Sequence, residues 1–172
     1  GASKGDLVEA QATGGRSFGL PEARIAEVVG DATGPRAPSL IAIHSNDIPT
    51  EFSPEAVADA ESAKPVSPDR RTDLRKIPLV TIDGADARDF DDAVWAEQDP
   101  DTKNRGGWHL LVAIADVSWY VRPAKPLDLD AHDRGNSVYF PDRVVPMLPE
   151  ALSNGLCSLV PNEDRGCLAV HM

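Results

Sequence analysis

Five aspartates lie within ten consecutive positions of the acidic segment, residues 83–92, whose sequence is DGADARDFDD. Two like charges about 4 Å apart repel each other by about 1 kcal/mol in water, and by about 4 kcal/mol at an effective dielectric constant of 20. Such a segment keeps its charge only if it spreads into solvent or if a cation lies among its carboxylates. The rest of the sequence bears on which of these two conditions holds.

Four of the five carboxylates can converge on one point. Asp83 follows the apolar run IPLVTI, Asp89 and Asp91 share one face of an extended segment, and Asp92 takes the other face. A turn or bulge can bring all four together, and Gly84 permits unusual dihedral angles. Carboxylate oxygens suit Mg²⁺ or Mn²⁺ better than Zn²⁺. Two such ions about 3.5–4 Å apart promote phosphoryl displacement, so the spacing permits a two-metal phosphodiesterase.

Acidic segments also occur in proteins of quite different function. An EF-hand loop needs Gly at its sixth position and Glu at its twelfth, and no register here supplies both. The DFDD tetrad matches the DxDD motif of certain terpene cyclases, but those proteins are all-helical and this segment lies between predicted strands. A charge run is usually a solvated surface loop, and weak structural calcium binding is a further alternative. Considered by itself, the segment favours the solvated loop.

Composition and charge narrow the class of protein. The chain has 172 residues, of which 41% are hydrophobic and 26% charged, as is typical of a soluble globular protein. No apolar run approaches the roughly 18 residues of a membrane span, and no signal peptide is evident. Cys157 and Cys167 indicate reduced thiols in a cytoplasm. The net charge of −11 argues against this chain alone binding a polyanion, although carboxylates that hold metal ions do not repel a substrate once the metal is bound.

Residues 1–50 show short alternating strands separated by glycine and proline turns. The pattern predicts strands at residues 7–12, 23–29 and 39–44, with a turn at Gly14 and Gly15. Three strands are too few for a closed barrel, so we expect an incomplete barrel or antiparallel sheet.

A helix and a linker follow. Ser53 is a good N-cap, Pro54 suits the first helical position and acidic residues occupy the first turn, which together predict a helix over residues 54–63. Residues 64–76 form a polar linker with a basic cluster that we expect to be solvated: Arg70, Arg71, Arg75 and Lys76.

A second sheet is predicted after the linker. Strands are expected at residues 77–82, 93–97 and 108–117, with a turn at 100–107, so the acidic segment connects the first two. The third strand is almost continuously apolar, which predicts that both its faces are covered. Short helices are expected near 128–134 and 149–154, and a strand begins near residue 168.

Three long segments carry a resemblance to a known family: IPLVTIDGADARDFDDAVWAE, HLLVAIADVSWYV and the stretch from NSVYFPDR to CLAVHM. Together they resemble the catalytic domain of the ribonuclease II/ribonuclease R (RNB) family, over residues 73–172. The strands before them resemble the end of a cold-shock (OB-type) domain. The expected fold class is therefore α+β, with a partial OB-like segment at 1–50, a helix and linker at 51–76, and part of an RNB domain at 77–172 whose sheet is mostly antiparallel.

The resemblance implies a function for the acidic segment. Asp83, Asp89, Asp91 and Asp92 match the family's metal-binding acidic centre, whereas Asp86 matches a position that varies. The implied reaction is 3′→5′ hydrolysis of single-stranded RNA to nucleoside 5′-monophosphates, with Mg²⁺ (or Mn²⁺) activating the water and steadying the leaving 3′-oxygen. Asp91 is the residue whose loss we expect to be least tolerated.

Other residues have weaker assignments. Tyr139 matches the family's tyrosine that stacks on the terminal base, although the residue alone would suggest a partly buried tyrosine under a proline-rich loop. His109 and His171 are expected to be packed residues rather than ligands. Three arginines are left open between phosphate contacts and surface ion pairs: Arg134, Arg143 and Arg165.

The resemblance covers only a minority of the family's length. We therefore expect the chain to be inactive by itself, with single-stranded RNA as the partner of the full-length enzyme and no membrane partner. The alternative is a non-catalytic RNB-type module that binds RNA or protein.

Overall fold

The computed structural model describes all 172 residues, Gly1 to Met172. Strands and short helices follow one another along the chain: β1 (Asp6–Ser17), β2 (Leu20–Asp31), α1 (Ala37–Ser45), α2 (Pro54–Ser62), β3 (Asp92–Gln98), β4 (Trp108–Ala115), α3 (Val117–Tyr120), α4 (Pro126–Arg134), β5 (Val138–Phe140), β6 (Arg143–Val145) and β7 (Cys167–His171). The strands form three sheets, β1-β2, β3-β4-β7 and β5-β6, and every pairing is antiparallel. The predicted α+β class with antiparallel sheets is confirmed.

The chain divides into two compact units. The first comprises Gly1–Glu51 and Ser137–Val145, and the second comprises Phe52–Asn136 and Pro146–Met172. The β5-β6 hairpin thus belongs to the first unit. None of the helices is long and apolar enough to cross a membrane.

A long two-stranded hairpin dominates the first unit. Both predicted strands are present, but Gly14 and Gly15 lie inside β1 and do not form the turn. The register shifts between Ala12 and Arg16, and Gly14 has a φ of 77°, so the two glycines are accommodated in an irregularity of the strand. The turn lies at Phe18 and Gly19, which both have positive φ.

The predicted third strand, residues 39–44, is wrong. This stretch lies in α1, where Pro38 occupies the first turn and the Ser39 hydroxyl donates to the Arg36 carbonyl. A short apolar run does not distinguish a strand from a buried helix by periodicity, and here proline in the first turn favours the helix. The Ser39 hydroxyl also lies 2.9 Å from the Asp142 carboxylate, which joins α1 to the β5-β6 hairpin.

The second unit contains the sheet β3-β4-β7 with β4 at its centre. Strands β3, β4 and β7 confirm three of the predicted strands. The prediction that both faces of β4 are covered holds for one face only, because Leu111, Ala113 and Ala115 are buried whereas Ile114 is 45% exposed.

The predicted strand at residues 77–82 is wrong. It makes only one isolated bridge, between Val80 and Val94, and Ile82 is 85% exposed. Pro78 has no N–H to donate, and the Leu79 N–H turns back to the Ile77 carbonyl. Residues 77–82 therefore pair with β3 only at Val80 and form no ladder of hydrogen bonds with it, although their apolar composition is typical of a strand.

Helices pack on one end of this sheet. Helix α2 confirms its prediction, with Ser53 accepting a hydrogen bond from the Ala56 N–H as N-cap. Helix α4 confirms the predicted helix near 128–134, and a π-helical turn at Ala151–Leu156 replaces the one expected at 149–154. These elements enclose a small core at the end of β4: Ala56, Ala60, Ala115, Leu127, Leu152 and Cys157.

Candidate functional site

The acidic segment is an irregular connection that leads into β3, whose first residue is Asp92. Asp83, Asp91 and Asp92 are exposed, and Asp89 is half-buried. Gly84, which permits unusual dihedral angles, does not have a positive φ. Its missing side chain matters for another reason: a Cβ there would lie 3.1 Å from an oxygen of the Asp86 carboxylate.

Hydrogen bonds hold the backbone of the acidic segment from two sides. The Asp91 carbonyl accepts from the Ala115 N–H at the end of β4, at 2.9 Å. The Phe90 carbonyl accepts from the Leu159 N–H, also at 2.9 Å. Residues 90 and 91 therefore have a defined path even though they belong to no helix or strand.

The aspartates influence one another electrostatically. Although Asp91 as a whole residue is exposed, partial desolvation of its carboxyl raises the pKa above the usual value, and the charges of Asp89, Asp92 and Asp83 raise it further. Asp86 does not contribute to this shift. The charges of Asp83, Asp89 and Asp92 thus act on Asp91, whereas the charge of Asp86 does not.

The four carboxylates suit a metal ion by the type of their donor atoms. Four carboxylates are the donor set that Mg²⁺ or Mn²⁺ prefers, and Asp83, Asp89, Asp91 and Asp92 are the residues that would hold such an ion. In the structure, no three side chains among the histidines, cysteines, aspartates and glutamates stand close enough together to hold a metal ion. The carboxylates are near enough to shift a pKa without forming a coordination sphere.

A cavity of about 590 Å³ lies beside the acidic segment. Side chains and backbone of the segment form one wall and the π-helical turn forms another: Ala87, Arg88, Phe90, Glu150, Ala151, Asn154, Gly155 and Val160. Its walls combine one arginine, one glutamate and one asparagine with apolar groups, and none of the four grouped aspartates lines it.

The three arginines left open by the sequence make intramolecular contacts. The Arg165 Nε donates to the carbonyls of Gly155 and Ser158, both at 3.1 Å, and its guanidinium pairs with Glu163. Arg143 pairs with Asp142 at 3.1 Å, and the Arg134 guanidinium lies 3.7 Å from the centre of the Phe52 ring.

The basic cluster is only partly solvated as predicted. Arg75 is exposed and pairs with Asp73 and Asp164. Arg71 instead lies 2.7 Å from the buried Asp116 carboxylate and 5.3 Å from the centre of the Trp119 ring. The sequence carries no signal for this pair, because 45 positions separate its members.

The remaining predicted residues lie as follows. Tyr139 belongs to β5 in the first unit, opposite Val144, and is 62% exposed. The rings of His109 and His171 stack on the β3-β4-β7 sheet with nitrogens 2.9 Å apart. His171 is exposed, so the prediction that both histidines are packed is wrong for that residue.

Two protein-family models match this chain. The cold shock domain model matches residues 1–53, and the RNB domain model matches residues 71–172. Because the RNB match covers more than half of the chain, the chain belongs to the RNB family.

Curated relatives carry the name Ribonuclease R. The protein of Vibrio parahaemolyticus is 51% identical over 179 residues, which take in 100% of this chain and 21% of the relative. The protein of Escherichia coli is 52% identical over 153 residues, covering 87% of this chain and 18% of the relative. The chain therefore spans about a fifth of the length of these relatives.

Solved structures share the fold. RNase R of Mycoplasma genitalium in complex with double-stranded RNA has a TM-score of 0.85 and 28% identity, covering 99% of this chain and 30% of that one. Yeast Ssd1, a pseudonuclease, has a TM-score of 0.63 at 17% identity, covering 98% of this chain and 22% of that one, and shows likeness of fold alone.

Proposed function

We propose that this chain supplies the acidic centre of a 3′→5′ exoribonuclease that hydrolyses single-stranded RNA to nucleoside 5′-monophosphates. Membership of the RNB family and relatives named Ribonuclease R at about 50% identity support this proposal. The observation that carries it is that Asp83, Asp89, Asp91 and Asp92 all lie within the RNB match, on a segment whose backbone is fixed at residues 90 and 91. Partial burial and then the charges of the other three raise the pKa of Asp91.

The chemistry assigned to the chain follows from its carboxylates. Mg²⁺ bound in a two-metal arrangement would supply an activated water and neutralise the charge that develops on the leaving 3′-oxygen. The four aspartates would bind the metal ion and orient it. Positive charge among them relieves their mutual repulsion. Tyr139 is assigned a binding role, because an exposed aromatic ring can stack on any base with about 1–3 kcal/mol of stabilisation.

The organisation of the chain is part of the same proposal. We assign residues 1–50 to a cold-shock domain, 51–76 to a helix and linker, and 77–172 to the RNB domain, which the two family matches support. The full activity belongs to a protein of the relatives' length, and we propose that this chain is inactive by itself. A cytoplasmic location is proposed from the two free cysteines.

A chimera tests the function directly. The chain replaces the matching segment of the Vibrio parahaemolyticus relative, and release of nucleoside 5′-monophosphates from a 3′-tailed single-stranded RNA is measured with Mg²⁺. We expect an active chimera, a loss of at least about 100-fold in Asp91→Asn, and no release by the isolated chain.

Asp86→Asn is the matched control, because it removes the same charge from the same segment at a position outside the group around Asp91. It should keep most of the chimera's activity. Activity that survives Asp91→Asn, or an equal loss in both variants, contradicts the assignment of the acidic centre.

A non-catalytic RNB-type module that binds RNA or protein is the second candidate. Its supporting observation is that no three metal-binding side chains stand close enough together to hold an ion. Isothermal titration of Mn²⁺ into the chimera and into Asp91→Asn separates the two candidates. Binding that is lost in the variant supports the nuclease, and binding by neither supports the module.

A further inference from the structure

The acidic segment is held in place by a residue 70 positions further along the chain. Ser158 is completely buried, and its hydroxyl donates to the Arg88 carbonyl at 2.7 Å and accepts from the Phe90 N–H at 3.0 Å. The two backbone groups that it binds flank Asp89. Phe90 directly precedes Asp91, so one hydroxyl controls the backbone between these two aspartates.

Neighbouring contacts strengthen this attachment. The Leu159 N–H binds the Phe90 carbonyl, so two consecutive residues hold the same peptide stretch. The Ser158 carbonyl is in turn bound by the Arg165 Nε at 3.1 Å, and the same nitrogen binds the Gly155 carbonyl. Arg165 therefore fixes the turn that carries Ser158.

The contacts have a consequence for the carboxylates. Residues 84–91 belong to no strand or helix, so their backbone groups have no ladder of their own to fix them. Both hydrogen bonds to Ser158 are part-buried, and with Ser158 replaced by an apolar residue the Arg88 carbonyl and the Phe90 N–H lose their partner, which is costly in such surroundings. The backbone then moves to find water, and the side chains of Asp89 and Asp91 move with it.

We propose that Ser158 is a positioning residue of the acidic centre: it fixes the directions of the Asp89 and Asp91 carboxylates and thereby sets the affinity for a divalent cation. This inference rests on the proposed function, because it assigns those carboxylates to a metal ion. Residues that orient metal ligands typically change metal affinity by about 10–100-fold when removed.

The test compares Ser158→Ala with Ser53→Ala in the chimera. Ser53 is the matched control, because its hydroxyl also makes two hydrogen bonds, with the Ala56 N–H and the Asp130 carboxylate, but does not contact the acidic segment. Mn²⁺ binding is measured by isothermal titration, together with the Mg²⁺ concentration for half-maximal activity. We expect Ser158→Ala to weaken Mn²⁺ binding by about tenfold or more, and to raise the Mg²⁺ concentration for half-maximal activity by about the same factor. Ser53→Ala should lower thermal stability and leave both values unchanged.

Two further measurements test the proposal even if Ser158→Ala fails to fold. Ser158→Cys keeps the volume of the side chain but has a weaker donor, and it should give a smaller loss of Mn²⁺ affinity in a folded protein. In the unsubstituted protein, hydrogen exchange should be slower at the Phe90 amide than at the Asp86 amide. Ser158→Cys should speed exchange at Phe90.

The outcomes separate this inference from the proposed function. If Asp91→Asn binds Mn²⁺ as tightly as the unsubstituted chimera, the acidic centre is wrong and the inference falls with it. If Asp91→Asn loses binding while both Ser158 variants keep it, only the positioning role is overturned. A loss in Ser53→Ala equal to that in Ser158→Ala, or rapid exchange at Phe90 in the unsubstituted protein, overturns it as well.

Discussion

The pKa values of single carboxylates in this chain shift in opposite directions, depending on the groups around them. Partial burial, followed by the charges of Asp89, Asp92 and Asp83, raises the pKa of Asp91. Asp116 is buried, which alone would raise its pKa, but hydrogen bonds from Arg71 and Ser118 outweigh that effect and lower it. An aspartate therefore has a raised pKa at position 91 and a lowered pKa, with a stabilising ion pair, at position 116, about 25 residues away in sequence.

Stability at low pH should depend on the pair formed by Arg71 and Asp116. Because the pKa of folded Asp116 is below the ordinary 3.8, its contribution is fully present well above pH 3.8 and is lost as the pH falls through the lower, folded value. Arg71→Ala should reduce the free energy of unfolding at pH 7 by roughly 1.5–3 kcal/mol. The difference from the unsubstituted protein should shrink on acidification, as measured by urea unfolding at a series of pH values.

Arg75→Ala is the control for that experiment, because Arg75 pairs with aspartates in solvent. It should change stability little at any pH. An Arg71→Ala difference that is constant from pH 7 to pH 2 would show that packing on Trp119, and not the ion pair, is what Arg71 contributes.

The two thiols should be poor nucleophiles in the folded protein. Burial, followed by the charges of Asp91 and Asp116, raises the pKa of Cys157 to about 11, and burial also raises the pKa of Cys167. At pH 8 we expect iodoacetamide to label both slowly, and Cys157 the more slowly, when the products are followed by mass spectrometry. Urea should make the two rates equal, and rapid labelling of Cys157 without urea contradicts its burial.

At the scale of elements, local signals were predictive where they act over a few residues. Helix α2 was predictable because Ser53, Pro54 and the acidic first turn are adjacent in sequence. Helix α1 was missed because a short apolar run suits a strand or a buried helix equally. The strand at 77–82 was wrongly predicted because one proline and one isolated bridge, not composition, decide whether a ladder forms.

The candidate site likewise contains residues that local sequence reveals and residues that it does not. The four aspartates proposed as the acidic centre can be picked out from the sequence because they lie within ten positions of each other. Ser158 and Asp116 could not, since their partners lie 45 to 70 positions away and a serine in an apolar run has no distinctive spacing.

Helix α2 offers a test at this scale. Ser53 caps the helix and also binds Asp130 of α4, so Ser53→Ala should destabilise the protein by about 1–2 kcal/mol. Ser62→Ala at the other end removes only an exposed hydrogen bond to the Asp59 carbonyl and should have almost no effect in the same urea titration. Equal effects would mean that the cap does not stabilise α2.

At the scale of the whole molecule, the second unit's sheet has an edge strand that carries exposed apolar side chains. Strand β7 pairs with β4 on one side only, and three side chains in or next to it are more than half exposed: Leu168, Val170 and Met172. An edge strand with exposed apolar side chains is a template for pairing with another chain, even when it is as short as the five residues of β7.

We expect the isolated chain to self-associate through this edge. Sedimentation velocity should show a concentration-dependent sedimentation coefficient that Val170→Lys abolishes, because a charge on an edge strand opposes pairing. Leu20→Lys is the control, since Leu20 is 70% exposed on the hairpin of the other unit. Self-association that survives Val170→Lys and is lost in Leu20→Lys would place the contact on that hairpin.

The attachment of the acidic segment to Ser158 also sets an order of events during synthesis. A ribosome makes the aspartates about 70 residues before the serine that holds their backbone, and β7 follows later still. Closing a loop of that length costs entropy before any contact is gained, so we expect the carboxylates to reach their final arrangement late in the folding of this unit. A nascent chain that has emerged only as far as β4 carries all four aspartates before the Ser158 hydroxyl that holds the backbone between Asp89 and Asp91.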